Sequence, residues 1–281
     1  MSVDVQAGPP PPEHVFHYTD QAGLFGILRS GELWASRIHC LNDHQEFRHG
    51  LDTFRHALLF RDGTRVAAEV EGHVTSALES VQKVNVCVSS WSEHRDQLSQ
   101  WRAYGKSRQG YALGLRSDDL KQRAQLAGWK FGRCIYEGRA KNDIAQRVAK
   151  QFWLHFAEHE RTNPQSKSHN RVALMLHAFV FPYVAFFKHE GFSEESEWRL
   201  VSPMIKRTDP QFTVRPGPNF PITYYRFPIS GGSLEKLQAE LVIGPGVSQE
   251  LASHGAAVAA INSKFDVGTR RYSLTPWRTD F

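Results

Sequence analysis

Three separated segments of the sequence are dense in side chains that bind or react with polar ligands. They read His-Tyr-Thr at 17–19, Ser-Gln-Trp-Arg-Ala-Tyr-Gly at 99–105 and Glu-Glu-Ser-Glu-Trp-Arg at 194–199. An imidazole can accept a hydrogen bond at neutral pH, a guanidinium can bind a phosphate through two N–H groups, and a carboxylate can stabilise developing positive charge. These residue types predict one polar site assembled from all three segments.

The first segment contributes His17 as its candidate ligand-binding residue. It lies where a predicted strand enters a helix, and an imidazole there can contact a ribose hydroxyl or a carbonyl. Tyr18 has an alternative place in the core, and Thr19 or Asp20 can cap the helix that follows. The alternative for His17 is a structural or surface role.

The second segment sets Arg102 between two aromatic residues. Trp101 and Tyr104 are three residues apart and share one face of a predicted helix. A guanidinium flanked by aromatic rings suits a phosphate or a stacked base. In the alternative interpretation the rings pack into the core and Arg102 bridges a carboxylate.

Hydroxyl groups precede this segment at the end of a predicted strand. Ser89, Ser90 and Ser92 surround Trp91 there. Hydroxyls in such a position commonly cap the next turn, and they can equally hydrogen-bond an amide group of a ligand.

The third segment contains the candidate carboxylate, Glu197. If residues 197–201 form a strand, Glu197 and Arg199 project to one face and Trp198 projects to the other. A Glu that enters the core beside an Arg costs stability unless it is paired, and this favours a functional role for Glu197. Glu194 and Glu195 fit a solvated loop.

The composition allows one large folded unit and excludes few functions. The chain has 281 residues, of which 41% are hydrophobic and 12% aromatic, enough for a sizeable core. A net charge of +5 and a pI near 9.1 weakly favour a phosphate-bearing ligand. Prolines at 9–12 predict a flexible Pro-rich tail over residues 1–13, followed by a single α+β domain over 14–281.

We expect no metal site, disulfide framework or membrane segment. Cys40, Cys87 and Cys134 are widely spaced, and His44 and His49 are five residues apart, which is poor spacing for a metal on one helix face. The most apolar stretch, 172–187, is shorter than a bilayer requires, and no secretory signal is recognisable. These features predict a cytoplasmic protein.

The order of elements predicts an α+β fold with mixed or split antiparallel sheets, flanking helices and a helical middle. Strands are expected near 15–18, 33–35, 84–88, 111–115, 131–136, 197–202, 222–227, 240–243 and 271–275. Helices are expected near 20–30, 43–58, 64–82, 96–104, 144–156 and 170–187, the second of them opened by a capping box from Asp43 to Glu46.

The order of the motifs resembles a widespread bacterial family of domains of unknown function. The likeness rests on His-Tyr-Thr at 17–19, Leu-Asn-Asp at 41–43, Ser-Gln-Trp-Arg-x-Tyr-Gly at 99–105, Gly-Tyr-Ala-Leu-Gly at 110–114, Glu-Trp-Arg at 197–199 and Ile-Gly-Pro at 243–245. It covers nearly everything after the proline tail and implies no function.

A looser likeness is to ADP-ribosyltransferase-like domains, in which a strand-borne His is followed by a helix. This resemblance implies an ADP-ribosyltransferase-like fold with NAD as substrate. By position it implies that His17 contacts a ribose, that Ser90 or Ser99 contacts the nicotinamide amide, and that Glu197 is the catalytic carboxylate.

The same resemblance implies the remaining contacts with NAD. Arg102 would hold the pyrophosphate, Trp101 or Tyr104 would stack on nicotinamide, and Tyr18 and Thr19 would belong to the NAD-binding segment beside His17.

The resemblance therefore implies an NAD-dependent transferase that acts on an unknown macromolecular acceptor, protein or nucleic acid, as a toxin or defence effector would. The alternatives are a nucleic-acid-binding or processing protein and a non-catalytic ligand-binding module, and the oligomeric state stays open. The first hypothesis expects Glu197→Gln to keep the fold while abolishing nicotinamide release. It also expects His17, Arg102 and Glu197 to converge on one cleft.

Overall fold

The computed structural model describes residues 10–41, 44–61, 63–80, 84–105, 109–163, 168–217, 219–229 and 236–276. Its strands are β1 (His14–Asp20), β2 (Glu32–Arg37), β3 (Phe60–Arg61), β4 (Thr64–Arg65), β5 (Cys87–Ser92), β6 (Gly110–Arg116), β7 (Lys130–Arg133), β8 (Glu197–Val201), β9 (Phe212–Arg215), β10 (Ile222–Pro228), β11 (Leu237–Ile243) and β12 (Phe265–Tyr272). Its helices are α1 (Gln21–Ser30), α2 (His44–Leu58), α3 (Ala68–Glu79), α4 (Leu98–Tyr104), α5 (Ser117–Leu126), α6 (Gly138–Thr162), α7 (Ser168–Phe179), α8 (Phe181–Val184) and α9 (Gln249–Ile261).

Ten of these strands form one open, mixed sheet. Its main path is β12-β11-β6-β1-β5-β2-β10-β9, and β8 and β7 branch from β5. The β11–β12 pair is parallel, and the other described pairs are antiparallel. The coarse prediction of a mixed sheet flanked by helices is thus confirmed, and its ADP-ribosyltransferase-like refinement stays a prediction.

The sheet divides at β5. On one side β5 pairs with β8 along its length, from Val88–Val201 to Ser92–Glu197. On the other side it pairs with β1 only at Phe16–Ser92 and with β2 only at Ser36–Val88 and Arg37–Cys87. The strands β1 and β2 therefore diverge over the middle of β5.

Helix α1 connects the two diverging strands. Asp20 caps it by accepting a hydrogen bond from the Gly23 amide at 2.8 Å. Gly31 ends it at φ 70°, a left-handed conformation that glycine adopts without steric cost, and its amide donates to the Ile27 carbonyl. The predicted helix and its glycine stop are confirmed, with Asp20 rather than Thr19 as the cap.

Helices cover both faces of the sheet. We call one the α1 face: it carries Trp91, Trp198 and Leu200, packed in a cluster with Leu24 of α1 and Leu120 of α5. We call the other the α6 face. It carries Val88 and Val201, and the residues that cover them include Phe54, Phe152, Leu176 and Phe181 from α2, α6, α7 and α8. Alternate residues of one strand therefore enter different cores.

Several boundaries differ from those expected in the first half of the chain. β5 begins at Cys87 rather than near 84, because its partners β2 and β8 meet it from Cys87 and Val88 onward. The helix predicted over 64–82 is the shorter α3, since Gly63 at φ 80° turns the chain and β4 pairs back on β3.

The second half shows similar corrections. The helix predicted over 170–187 is divided into α7 and α8 at Val180, and Pro182 occupies the first turn of α8. The strand expected at 131–136 ends at Arg133, and the one expected at 271–275 is β12, which lies earlier because it pairs in parallel with β11. The Asp43–Glu46 capping box and residues 1–9 of the predicted tail lie outside the described backbone and side chains.

Membrane-spanning helices and metal-binding clusters are both absent from the described residues. No helix there is long and apolar enough to cross a bilayer. No three His, Cys, Asp or Glu side chains in that part of the chain lie close enough together to hold a metal ion.

Candidate functional site

His17 lies in the gap that opens where β1 leaves β5. Its Nδ1 is 2.9 Å from the carbonyl oxygen of Ser90, a position between the Phe16–Ser92 pair and the Ser36–Val88 pair. A carbonyl only accepts hydrogen bonds, so Nδ1 carries the proton and donates it. The side chain thereby supplies a hydrogen bond where the two strands have separated, and the bond fixes the orientation of the ring.

The imidazole of His17 is neutral at physiological pH, and its Nε2 is a hydrogen-bond acceptor that no described group uses. Burial lowers its pKa below the ordinary 6.5, and the hydrogen bond to Ser90 offsets this only in part. With the proton on Nδ1, Nε2 keeps a lone pair, and no described group donates to it. A ligand hydroxyl or N–H can bind there.

Two buried polar atoms lie on the same face as His17. The rings of His17 and Trp91 are 5.3 Å apart, and Ser89 precedes Trp91 by two residues on β5, so both project to the α1 face. Trp91 Nε1 and Ser89 Oγ are buried and have no hydrogen-bond partner within the described residues. Native structures rarely leave such groups unpaired, so each one is a place where a ligand group or a water can bind.

Tyr18 belongs to the opposite face. Its hydroxyl donates to the carbonyl of His94 at 2.6 Å and accepts from the amide of Gln97 at 3.1 Å. Its ring packs edge-on against Trp101, with centroids 4.6 Å apart. Burial raises the pKa of Tyr18 well above 10. The side chain therefore anchors the turn before α4, and Thr19 is half-buried beside α1.

Trp101 is a core residue in this structure. It is buried with Phe16, Tyr18, Ala112 and Val242. The predicted stacking of Trp101 on nicotinamide would require a ring surface that these neighbours already cover.

Close packing on Trp101 also explains two of the glycine motifs. A Cβ atom at Gly244 would lie 2.9 Å from the indole ring and 2.8 Å from the Gly110 carbonyl oxygen, and one at Gly110 would lie 3.1 Å from the ring. The amide of Gly244 also donates to the carbonyl of Gly110 at 2.9 Å. Three motifs that are far apart in sequence thus meet around one indole.

The rest of α4 faces outward. Arg102 and Tyr104 are exposed, and both have contacts within the described part of the chain. Ser99 is half-buried, and its Oγ has no described partner. Because α4 packs through Trp101 on Tyr18, all three lie on the α6 side of the sheet, away from the ring of His17.

Glu197 lies in a buried cluster of charges. Its Oε1 accepts a hydrogen bond from Arg199 Nε at 2.7 Å, and its Oε2 accepts one from Lys188 Nζ. Lys188 also donates to Glu195 Oε2 at 2.6 Å, and Arg199 donates to the Ala185 carbonyl at 2.7 Å. Two cations and two carboxylates therefore neutralise one another, and this satisfies the condition under which such burial is tolerated.

The charges decide the ionisation of Glu197. Burial alone would raise the pKa of its carboxyl group, but Arg199 and Lys188 outweigh burial and lower the pKa from 4.5 to about 2. The side chain is 5% exposed. Both oxygens are engaged by protein cations, so the carboxylate is ionised at neutral pH and its acceptor positions are already occupied.

Contrary to the prediction from the sequence, the strand register does not bring His17, Arg102 and Glu197 together in one cleft. His17 contacts Trp91, whereas Glu197 pairs with Ser92, the next residue along β5. Successive residues of a strand point to opposite faces. His17 therefore lies on the α1 face and Glu197 on the α6 face, with Ser90 on the same face as Glu197.

Sequence reasoning did not identify Lys188, whose ammonium group pairs with the buried carboxylate of Glu197 and offsets the cost of burying it. The only signal was a lysine directly after an apolar run that ends at Phe187. It also gave Asp96 no role beyond a helix start.

Asp96 connects α4 to the segment after β12. Its carboxylate accepts from Trp101 Nε1 at 2.7 Å, the Ser273 hydroxyl, the Leu274 amide at 2.8 Å and the Thr275 hydroxyl at 3.0 Å. Burial would raise the pKa of Asp96, and these donors lower it instead.

Comparisons with known proteins give one result. No curated protein and no solved structure matches the chain. Residues 100–200 match the family described as "Protein of unknown function (DUF2971)", which confirms the prediction that the chain is related to an uncharacterised domain family.

Proposed function

We propose that this protein binds NAD in the gap between β1 and β2 and acts as an ADP-ribosyltransferase-like enzyme. The observation that carries the proposal is the neutral imidazole of His17, whose Nδ1–H is fixed on the Ser90 carbonyl while Nε2 is left as an acceptor. A ribose hydroxyl is a donor that can bind such an acceptor.

The neighbours of His17 fit the same kind of ligand. Ser89 Oγ can donate or accept, and Trp91 Nε1 can only donate. The site thus offers hydrogen-bonding groups of both kinds beside an aromatic wall, a combination typical of pockets that bind small polar molecules. Arg102 is exposed on the other face, so the proposal assigns it no contact with the pyrophosphate.

We propose a structural role for Glu197 in place of the catalytic one that the resemblance implies. Cleavage of the bond between nicotinamide and ribose develops oxocarbenium character that a nearby carboxylate stabilises. The oxygens of Glu197 are held by Lys188 and Arg199, and Arg199 also donates to the Ala185 carbonyl, so the part of Glu197 is to hold β8 to the segment after α8. This favours a second candidate, a module that binds NAD without breaking it.

The test is calorimetric titration with NAD, together with chromatographic detection of free nicotinamide in the presence of protein and nucleic-acid acceptors. Binding with release supports the transferase, and binding without release supports the non-catalytic module. His17→Ala should weaken binding about tenfold, the cost of one hydrogen bond to a buried group. The matched control is His254→Ala on the exposed side of α9, which should bind like wild type.

The pH dependence of NAD affinity is an independent test of the proposed contact at Nε2 of His17. Because burial lowers the pKa of His17, the acceptor at Nε2 is present at pH 7 and is lost when the pH falls below 6.5 toward the lowered value. NAD affinity should therefore fall on acidification in wild type and stay level in His17→Ala. Absence of NAD binding by the wild-type protein at neutral pH refutes the proposal.

A further inference from the structure

Four side chains from three neighbouring strands project to one face at the far end of the sheet. Trp34 of β2 lies opposite Arg226 of β10, and Arg215 of β9 lies opposite Ile222 of β10. Tyr224 is two residues from both Ile222 and Arg226, so the alternation of the strand brings it to the same face. We call this set, Trp34, Tyr224, Arg215 and Arg226, the aromatic–arginine face.

Three members of the aromatic–arginine face lie next to one another. The rings of Trp34 and Tyr224 have centroids 5.3 Å apart, and the guanidinium carbon of Arg215 lies 5.9 Å from the centre of the Tyr224 ring. Trp34 is 37% exposed. The two ring planes are tilted by 43°, and Tyr224 is only 8% exposed. The exposed part of the Trp34 indole is therefore the surface on which a further planar group can stack, with the Arg215 cation on the far side of Tyr224.

The two arginines are short of acidic partners. Arg226 donates to the carbonyl of Pro210, and neither arginine forms an ion pair within the described residues. The Nε of each is buried without a partner there. Lys206 and Arg207 are exposed in the loop that leads into β9.

Acidic residues in this region are fewer. Glu32 lies on the same side of β2 as Trp34, and Asp209 is in the loop before β9, where its carboxylate accepts from the Gln211 amide. On the aromatic–arginine face itself, Arg215 and Arg226 outnumber Glu32, and this leaves the face positive.

The surface continues into a groove at the tip of the β9–β10 hairpin. The groove has a volume of about 550 Å³, and Arg215 and Phe220 are among its lining residues. Phe220 is 52% exposed. A second aromatic group thus lies beyond Arg215, on the side away from Trp34, so a ligand that follows this face meets rings on both sides of a cation.

We propose that the aromatic–arginine face binds single-stranded nucleic acid. Unpaired bases stack on exposed rings, and the phosphates between them are neutralised by arginines at intervals along the surface. The bases of a duplex are already stacked on each other and cannot use such a face. The proposal is independent of NAD binding at His17, which lies on the other face of the sheet.

The experiment is fluorescence anisotropy with a labelled twelve-nucleotide oligo(dT) or oligo(rU), over a series of salt concentrations from about 50 mM upward. Trp34→Leu should weaken binding about tenfold or more, because it removes a stacking partner. Arg215→Gln should weaken binding and make log affinity depend less steeply on log salt, by about 0.7.

Arg29→Gln is the matched control, because Arg29 also lies 5.9 Å from an aromatic ring, that of Phe25 on α1, and its loss changes the net charge equally. It should bind like wild type. Arg215→Gln keeps the test valid if Trp34→Leu is poorly folded, as judged by circular dichroism. NAD binding by both arginine variants should match that of wild type, which separates this proposal from the preceding one.

Several outcomes would overturn the proposal. They are no binding of either oligonucleotide at low salt, equal binding by wild type and Arg215→Gln, tighter binding of a duplex of the same length, and equally strong competition by a mononucleotide. The last would mean that the face recognises a free nucleotide rather than a strand. A protein partner for this face would leave the oligonucleotides unbound.

Discussion

Glu197 and His17 both lie on strands that contact β5, yet their surroundings differ in kind. Around Glu197, on the α6 face, charged groups are buried and matched, with Lys188 and Arg199 holding both carboxylate oxygens. Around His17, on the α1 face, the imidazole is neutral at pH 7, and the buried polar atoms of Ser89 and Trp91 have no described partner. We call the surroundings of Glu197 the closed region, because its charges are paired with one another. We call the surroundings of His17 the open region, because buried polar atoms there have no described partner.

The difference shows which kind of buried polar residue indicates a binding site. A buried charge attracts attention in a sequence because its burial is costly, but the cost obliges the fold to surround it with partners. A neutral hydroxyl or indole N–H carries a smaller penalty and can be left unpaired until a ligand arrives. On this argument the region of His17 is the better candidate for recognition.

The largest expected effect on folding stability is that of replacing Glu197. Glu197→Gln leaves Lys188 and Arg199 buried without their shared counterion. It should lower the free energy of unfolding by about 3–5 kcal/mol, measured by urea denaturation. This replaces the sequence-based expectation that the variant keeps the fold intact.

The control for this prediction is Glu195→Gln. Glu195 accepts from Lys188 alone and is 21% exposed, so its loss should cost about 1 kcal/mol. Equal effects of the two variants would contradict the view that the Glu197 region is a structural charge cluster.

The second-largest expected effect is a loss of folding stability in acid, when Glu197 is protonated. The pKa of Glu197 falls from 4.5 in the unfolded chain to about 2 in the fold, so its contribution to stability is complete above pH 4.5 and is lost as pH falls toward 2. The loss is on the order of 3 kcal/mol for this group. Carboxyl carbon chemical shifts followed by NMR would report it, and a Glu197 signal that titrates near 4.5 would refute it.

A substitution at Gly244 tests whether Trp101 belongs with the closed region. In Gly244→Ala the new methyl group would meet the Trp101 ring at 2.9 Å and the Gly110 carbonyl at 2.8 Å. We expect a loss of about 1–3 kcal/mol in thermal or urea unfolding.

The control is Gly255→Ala in α9, where nothing lies within 4 Å of the added carbon. That variant should gain about 0.5–1 kcal/mol, since alanine is the better helix former. A tolerated alanine at Gly244 would show that Trp101 can move, and would make it available to a ligand after all.

The smallest effect on stability is expected in the open region. Ser89→Ala removes a buried hydroxyl that has no described partner, so unfolding should change by about 0.5 kcal/mol or less. Ser92→Ala is the comparison on the other face, because that hydroxyl donates to the Glu195 carbonyl and accepts from the His94 amide. It should cost about 1–2 kcal/mol. If Ser89→Ala is as costly as Ser92→Ala, the open region has a partner of its own within the fold.

Part of this contrast could be predicted from the sequence. Period-two alternation correctly put Glu197 and Arg199 on one face and Trp198 on the other, and the rule that a buried Glu must be paired correctly demanded a cation. The glycine after α1 and the helical middle were predicted from local signals as well.

The relation between the two regions could not be predicted, because it depends on register. His17 and Glu197 are separated by 180 positions in the numbering, and the face that each shares with β5 is set by the pairs Phe16–Ser92 and Glu197–Ser92. A shift of one residue in either pairing would reverse the result. No local pattern encodes that choice, and none reveals that β1 and β2 diverge.

The carboxylate of Asp96 joins parts of the chain that are far apart in sequence. Its partners Trp101 and Thr275 bracket 174 positions of sequence, and β1 finds its neighbour β6 only after about a hundred residues have been synthesised. Contacts of such long range form slowly, because the chain must close large loops before they contribute. The hydrogen bonds of Asp96 therefore close one of the longest loops in the fold, and three of the four form only once the segment that follows β12 is in place.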